Sequence, residues 1–133
     1  MLDRLREAIP HAAVSSDFIV GFCGETDKEF ESSLELVKTV KFKNSFIFKY
    51  SPRPGTKAFD KQADDVPESV KKERNRLLLE AQAVASLEGN ERFIGSRQQV
   101  LVEGLSTRDE RQAVDPGPDG LAQLTGRTMC DRI

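Results

Sequence analysis

The sequence predicts an α/β unit, strand–helix–strand followed by a long helix, and after it a small antiparallel β region. Three observations predict this. The run Phe18-Ile19-Val20 ends in Gly21 and is followed by a helix start at Thr26. Ser45-Phe46-Ile47-Phe48-Lys49-Tyr50 repeats the strand pattern one helix later. Beyond Gly95 the pattern changes to short strands separated by turns, with no helix between them. A strand–helix–strand with short links demands parallel strands, because the crossover helix returns the chain to the same end of the sheet.

Leu2, Leu5 and Ile9 recur at helical spacing and Pro10 ends the run. Ala13 to Phe22 then reads as a strand. Its unbroken apolar stretch suits burial on both faces of a parallel sheet. Gly21 and Gly24 mark a tight strand-to-helix turn. Thr26 and Glu29 have capping-box spacing, and Asp27 and Glu29 suit the positive end of the helix dipole. Phe30, Leu34, Val37 and Val40 form the apolar stripe of that helix. The prolines and glycine of Ser51-Pro52-Arg53-Pro54-Gly55-Thr56 fix a rigid loop after the second strand. Pro67 opens a helix that runs to about Arg92, with Val70, Leu77, Leu78, Ala81 and Val84 expected inward. The charge run Lys71-Lys72-Glu73-Arg74 reads as that helix's wet face. Gln98 to Gly104, Arg111 to Val114 and Thr128 to Ile133 read as strands, and Asp115 to Gly120 as a loop. The expected domains are therefore 1–94 and 95–133.

The chain has 133 residues, 32% of them charged, and a net charge of −2. That balance gives no overall attraction to nucleic acid, so RNA contact would need a local basic patch. No apolar run approaches the ~20 residues that cross a bilayer, and the charged start is no signal peptide. The expected location is cytoplasmic, with no membrane partner. Cys23 and Cys130 lie far apart and outside any CxxC or His/Cys cluster, so no metal ligand set is expected within the chain. His11, between Pro10 and Ala12, reads as a loop residue.

Three regions could carry chemistry. The first is Asp17 to Thr26, where glycines at a strand's C-terminal end let a ligand approach the backbone. Glu25 there either accepts hydrogen bonds from a ligand or is a solvated residue of a structural turn. The second is Tyr50 to Thr56, a stiff loop that presents an arginine, a tyrosine and hydroxyls. It either holds a phosphate, carboxylate or base, or is a connector whose Arg53 pairs on the surface. The third is the arginine-bearing C-terminal region with Arg92, Arg97, Arg108, Arg111, Arg127 and Arg132. Nearby carboxylates make an ordinary mixed-charge surface its alternative.

The segment Ile19-Val20-Gly21-Phe22-Cys23-Gly24-Glu25-Thr26 resembles the VGFPGET motif of the radical S-adenosylmethionine (radical-SAM) tRNA methylthiotransferases. Tyr50-Ser51-Pro52-Arg53-Pro54-Gly55-Thr56 is similar to their YSPRPGT segment, which points to the MiaB type. Val102-Glu103-Gly104 and Gln123-Leu124-Thr125-Gly126-Arg127-Thr128 resemble the opening of their C-terminal TRAM domain, an RNA-binding barrel. The resemblance covers nearly the whole chain. It implies the last part of a partial (β/α) radical-SAM barrel at 1–94, then an incomplete TRAM barrel at 95–133.

The implied activity is the addition of a methylthio group to an isopentenylated adenosine beside the tRNA anticodon. The implied cofactors are S-adenosylmethionine and two 4Fe-4S clusters, and the implied partner is tRNA. The implied cofactor-binding residues are Ile19, Gly21, Glu25 and Tyr50. The implied substrate-binding residues are Ser51, Arg53 and Arg127. No catalytic or metal-ligating residue is implied in this chain, because the CxxxCxxC cysteines and those of the family's N-terminal domain are not in its sequence. Cys23 stands where the family usually has proline, and 115–122 reads as an insertion. The chain is thus expected to be a fragment that is inactive alone. A tRNA-binding module, a nonfunctional truncated reading frame, and a threonylcarbamoyladenosine or ribosomal-protein methylthiotransferase are the alternatives.

Overall fold

A computed structural model describes residues 1–10, 12–105 and 124–129. The chain divides into two compact units, Met1–Arg92 and Phe93–Ile133.

The first unit is mixed α/β. Its elements are α1 (Leu2–Ala8), β1 (Ser15–Val20), α2 (Asp27–Val40), β2 (Asn44–Lys49), α3 (Lys57–Lys61) and α4 (Glu68–Glu91). β1 and β2 are parallel, in register from Ser15 opposite Asn44 to Val20 opposite Lys49. Helix α2 is the crossover between them and packs beside α4.

The start of α2 is built from its own residues. The Thr26 side-chain oxygen accepts from the Glu29 N–H at 3.3 Å, while Glu29 accepts from the Thr26 N–H at 2.8 Å. The Thr26 bonds, that of its backbone foremost, hold the Glu29 carboxyl below 4.5. Phe30, Val37 and Val40 are buried at spacings of seven and three, and Leu34 packs against them, so the helix turns one apolar stripe to the sheet. They join Val20, Phe42 and Leu78 in one cluster. Phe18 meets Phe42 edge-on at 5.7 Å.

The expected double-sided burial of β1 is corrected. Val20 is 1% exposed, but its neighbour Ile19 is 56% exposed. Phe46 and Phe48 of β2 are equally open. The residues packed on the helices, Phe18, Val20 and Ile47, alternate with the open ones, so the helices cover one face of this sheet. Ile19 and Phe48 are register partners on the other face.

The inward face of α4 is also corrected. Val84 is exposed, whereas Lys71, Arg74 and Gln82 are buried along with Leu78 and Ala85. The charge run is therefore not a wet face: Lys71 and Arg74 turn in, and Lys72 and Glu73 turn out. Burial of such groups is tolerable only when each is paired. Lys71 pairs with Asp64 and Arg74 with Glu25 and Asp27. Gln82 accepts from the Ser45 hydroxyl at 2.8 Å and donates to the Phe42 carbonyl at 2.9 Å. Asn75 donates to the Ile47 carbonyl at 3.2 Å. The helix thus docks on β2 through hydrogen bonds as well as through Leu78. Helix α3 was not expected from the sequence; Thr56 caps it by accepting from the Phe59 N–H.

In the second unit, β3 (Val100–Leu105) pairs antiparallel with β4 (Leu124–Thr128). The register shifts between Val102 and Gly104, leaving Glu103 at a bulge. The described residues form no closed barrel. The partner of β3 is thus Leu124–Thr128. The expected strand Arg111 to Val114 and loop Asp115 to Gly120 lie outside the described residues, as do His11, Cys130 and most of the expected strand after Thr128. Among the described residues, no helix is long and apolar enough to cross a membrane.

Candidate functional site

Two loops leave the C-terminal ends of β1 and β2, and parallel pairing puts those ends side by side. The first loop turns through Gly21 (φ +70°) and Gly24 (φ +76°). Its shape is held by two carboxylates, those of Glu25 and Asp65. Glu25 accepts from the Gly21 N–H at 2.6 Å and from the Arg74 guanidinium at 2.7 Å. Arg74 also donates to the Glu25 carbonyl at 3.0 Å and to Asp27 at 2.6 Å. Burial works against the charge on Arg74, but its bonds to Asp27 and Glu25 outweigh this and leave its pKa above the ordinary value. Asp65 accepts from the Gly24 N–H at 2.7 Å.

The second loop begins where the Tyr50 N–H donates to the Val20 carbonyl at 2.8 Å, one step beyond the β1–β2 ladder. Thr56 turns back on it and donates its hydroxyl to the Arg53 carbonyl at 2.8 Å. Gly55 sits between them at φ +83°.

The Tyr50 ring stands edge-on to Phe22, with centroids 4.9 Å apart. Lys71 Nζ lies 5.2 Å from the Tyr50 ring centre. A hydrogen bond with Cys23, together with burial and the nearby Cys23 and Asp64 charges, pushes the Tyr50 hydroxyl up to about 12.

Between the loops lies a recess of about 350 Å³ whose lining includes Ile19, Phe22, Phe48, Tyr50, Ser51 and Arg53. Four of the sequence-designated residues therefore share one recess: Ile19, Tyr50, Ser51 and Arg53. Among the described residues, no ion pair engages the Arg53 guanidinium. Gly21 and Glu25 are not in its lining; their contacts shape the turn beside it. Arg127 belongs to the second unit, where its Nε donates to both Glu103 carboxylate oxygens at 2.9 Å.

Phe22 and Phe48 were not designated from the sequence, although Phe48 follows from the register with Ile19. Lys71 and Arg74 were missed as well, and their one signal is a helical spacing of three and then four that continues into Leu78. The recess can take a flat, mostly apolar group against its aromatic wall and an anionic or hydrogen-bonding group at Arg53 and Ser51. An iron–sulfur cluster is a different case. It needs several converging thiolates, and the described residues hold no group of three His, Cys, Asp or Glu placed to bind a metal.

Tyr50 is the chain's single tyrosine, and tryptophan is absent, so its spectrum reports this site alone. Phenolate absorbance is expected to rise with a midpoint near pH 12. Because the folded value lies above the ordinary 10.0, the stability this phenol contributes is complete below pH 10.0 and lost as pH rises through about 12. Cys23→Ala is expected to bring the midpoint back toward 10.0.

No family model matches the sequence. The chain is 50% identical over all 133 of its residues to a tRNA-2-methylthio-N(6)-dimethylallyladenosine synthase of Rhodopirellula baltica, 27% of whose length it covers. It is 45% identical to the protein of that name from Stutzerimonas stutzeri over 130 residues, 98% of the chain and 27% of the relative. A synthase 1 of the same description from Mycobacterium marinum is 46% identical over 102 residues, 77% of the chain and 19% of the relative. The chain thus spans about a quarter of the length of the first of these relatives.

Proposed function

We infer that this chain, which belongs to the family of tRNA methylthiotransferases named tRNA-2-methylthio-N(6)-dimethylallyladenosine synthases, contributes one wall of the site where such an enzyme binds its adenosine-bearing ligands. The convergence of Ile19, Tyr50, Ser51 and Arg53 on one recess carries this reading.

The chemistry of the lining supports it. S-adenosylmethionine and a tRNA adenosine both present a purine, which suits Ile19 and the aromatic wall. Both also carry an anion near the nucleoside, a carboxylate or a phosphate, and Arg53 offers a charged fork to either. In this reading Ile19 and Tyr50 contact the cofactor, and Ser51 and Arg53 contact the target nucleotide. Gly21 and Glu25 act by fixing the turn that carries Phe22.

When bound, S-adenosylmethionine and the 4Fe-4S clusters supply the radical and sulfur chemistry. The clusters' ligands do not fit this chain's residues, so its own part is to bind and orient. The unit Met1–Arg92 is read as part of the radical-SAM barrel. The unit Phe93–Ile133 is read as part of an RNA-binding TRAM domain, with Arg127 near tRNA phosphate.

A chimera tests the proposal. The matching quarter of the Rhodopirellula baltica relative is replaced by this chain, the clusters are loaded, and methylthioadenosine in tRNA is measured by mass spectrometry. The chimera is expected to modify dimethylallyladenosine-containing tRNA. Arg53→Ala in it is expected to lower kcat/KM about 10- to 100-fold, as the loss of a charged hydrogen bond does. A cluster-loaded but inactive chimera would contradict the reading, and so would an Arg53→Ala chimera as active as its parent.

A further inference from the structure

We propose that Lys71 is a positioning residue for the recess, its side chain passing over Gly21 to brace the Tyr50 ring that forms the recess wall. This rests on the reading above only in treating the recess as a ligand site.

Lys71 is 3% exposed, and a lysine so deeply buried needs a reason. Its stem lies against Gly21, where an added Cβ would fall 2.3 Å from Lys71 Cγ. The absence of a side chain at Gly21 is what lets the lysine through. At the far end Nζ pairs with Asp64 and lies 5.2 Å from the centre of the Tyr50 ring. Asp64 fixes the ammonium group, and the ammonium fixes the ring by its attraction to the aromatic quadrupole. The ring also meets Phe22 edge-on at 4.9 Å, and Cys23 acts on the titration of its hydroxyl. Phe22 and Cys23 stand on the turn that begins at Gly21. One lysine on α4 therefore ties the turn after β1 to the loop after β2. A hydrophobic residue in its place would fill the space over Gly21 but would not hold the ring.

The charged and titratable groups facing the Tyr50 hydroxyl and ring are Cys23, Asp64 and Lys71. They let a titration separate bracing from a plain charge effect. Lys71→Met keeps the stem and removes the cation. If Lys71 braces the ring, Tyr50 swings off Cys23 and its phenolate midpoint falls from about 12 toward the ordinary 10.0. Lys71→Arg is expected to retain the high midpoint. If Lys71 acts only through its charge, or only as filler, the Lys71→Met midpoint stays near 12 or rises, because a cation that favours phenolate has gone. That result overturns the proposal.

Should Lys71→Met fail to fold, the unmodified chain decides by proton NMR. Lys71 methylene resonances shifted upfield by the Tyr50 ring, with the shift lost in Tyr50→Leu, support the bracing contact. Unshifted methylenes overturn it. Neither measurement uses a ligand, so each can fail while the ligand-site reading stands.

Discussion

Replacing Arg74 with alanine is expected to lower the unfolding free energy by about 3–5 kcal/mol, the range for removing one partner of a buried ion pair. The loss comes from what is left behind. Glu25 would be left in a site where only the Gly21 N–H still bonds it, and the turn after β1 would lose its hydrogen bonds to Arg74 of α4. Against a typical total of about 5–15 kcal/mol, this takes a large share of the stability. Urea unfolding followed by circular dichroism measures it. Asp27→Asn provides the contrast, because Asp27 contacts the same guanidinium but its side chain is 91% exposed. Its cost is expected to fall within about 1 kcal/mol, as for surface pairs. Equal losses in the two variants would show that the Glu25 site is not the dominant anchor.

Gly21→Ala is expected to cost about 2–5 kcal/mol. A left-handed backbone at φ +70° penalises any side chain by about 1–2 kcal/mol. Crowding a packed site adds about 1–3 kcal/mol. The crowding is specific, since the new methyl meets the Lys71 stem. The cost should therefore shrink when Lys71 is shortened. In Lys71→Ala the same glycine substitution is expected to lose only its backbone part, a non-additivity of about 1 kcal/mol or more that a double-mutant cycle reads. Full additivity would mean that the lysine does not fill the space over Gly21.

Both expectations turn on a partner that the sequence did not mark as important, Arg74 in the first and Lys71 in the second, and the reason is physical. Hydropathy patterning finds elements whose buried face is apolar. It finds α2, whose stripe is Phe30, Leu34, Val37 and Val40, and it finds the helix start at Thr26 from local capping chemistry. It misplaces α4, because that helix turns Lys71, Arg74 and Gln82 inward, and their burial depends on pairing with residues outside the helix. The partners lie 47 to 49 positions away for Arg74 and 37 away for Gln82 through Ser45, a separation no local pattern can reveal. The open face of the sheet was equally illegible, since Phe46-Ile47-Phe48 reads alike whether one or both faces are covered.

The candidate site was more legible. Glycine and proline loops at the ends of two parallel strands must come out on the same side, so Ile19, Tyr50, Ser51 and Arg53 could be grouped before any coordinates. The sequence could not separate Glu25 as a ligand residue from Glu25 as part of a turn. Its contacts with Gly21 and Arg74 give it work within the turn.

Isotope-labelled chain titrated with S-adenosylmethionine, followed by amide proton–nitrogen NMR, tests most directly whether this recess takes an adenosine-bearing ligand. Saturable shifts confined to Ile19–Cys23 and Phe48–Ala58 are the predicted result. Saturable shifts centred elsewhere, with these amides unmoved, would contradict it.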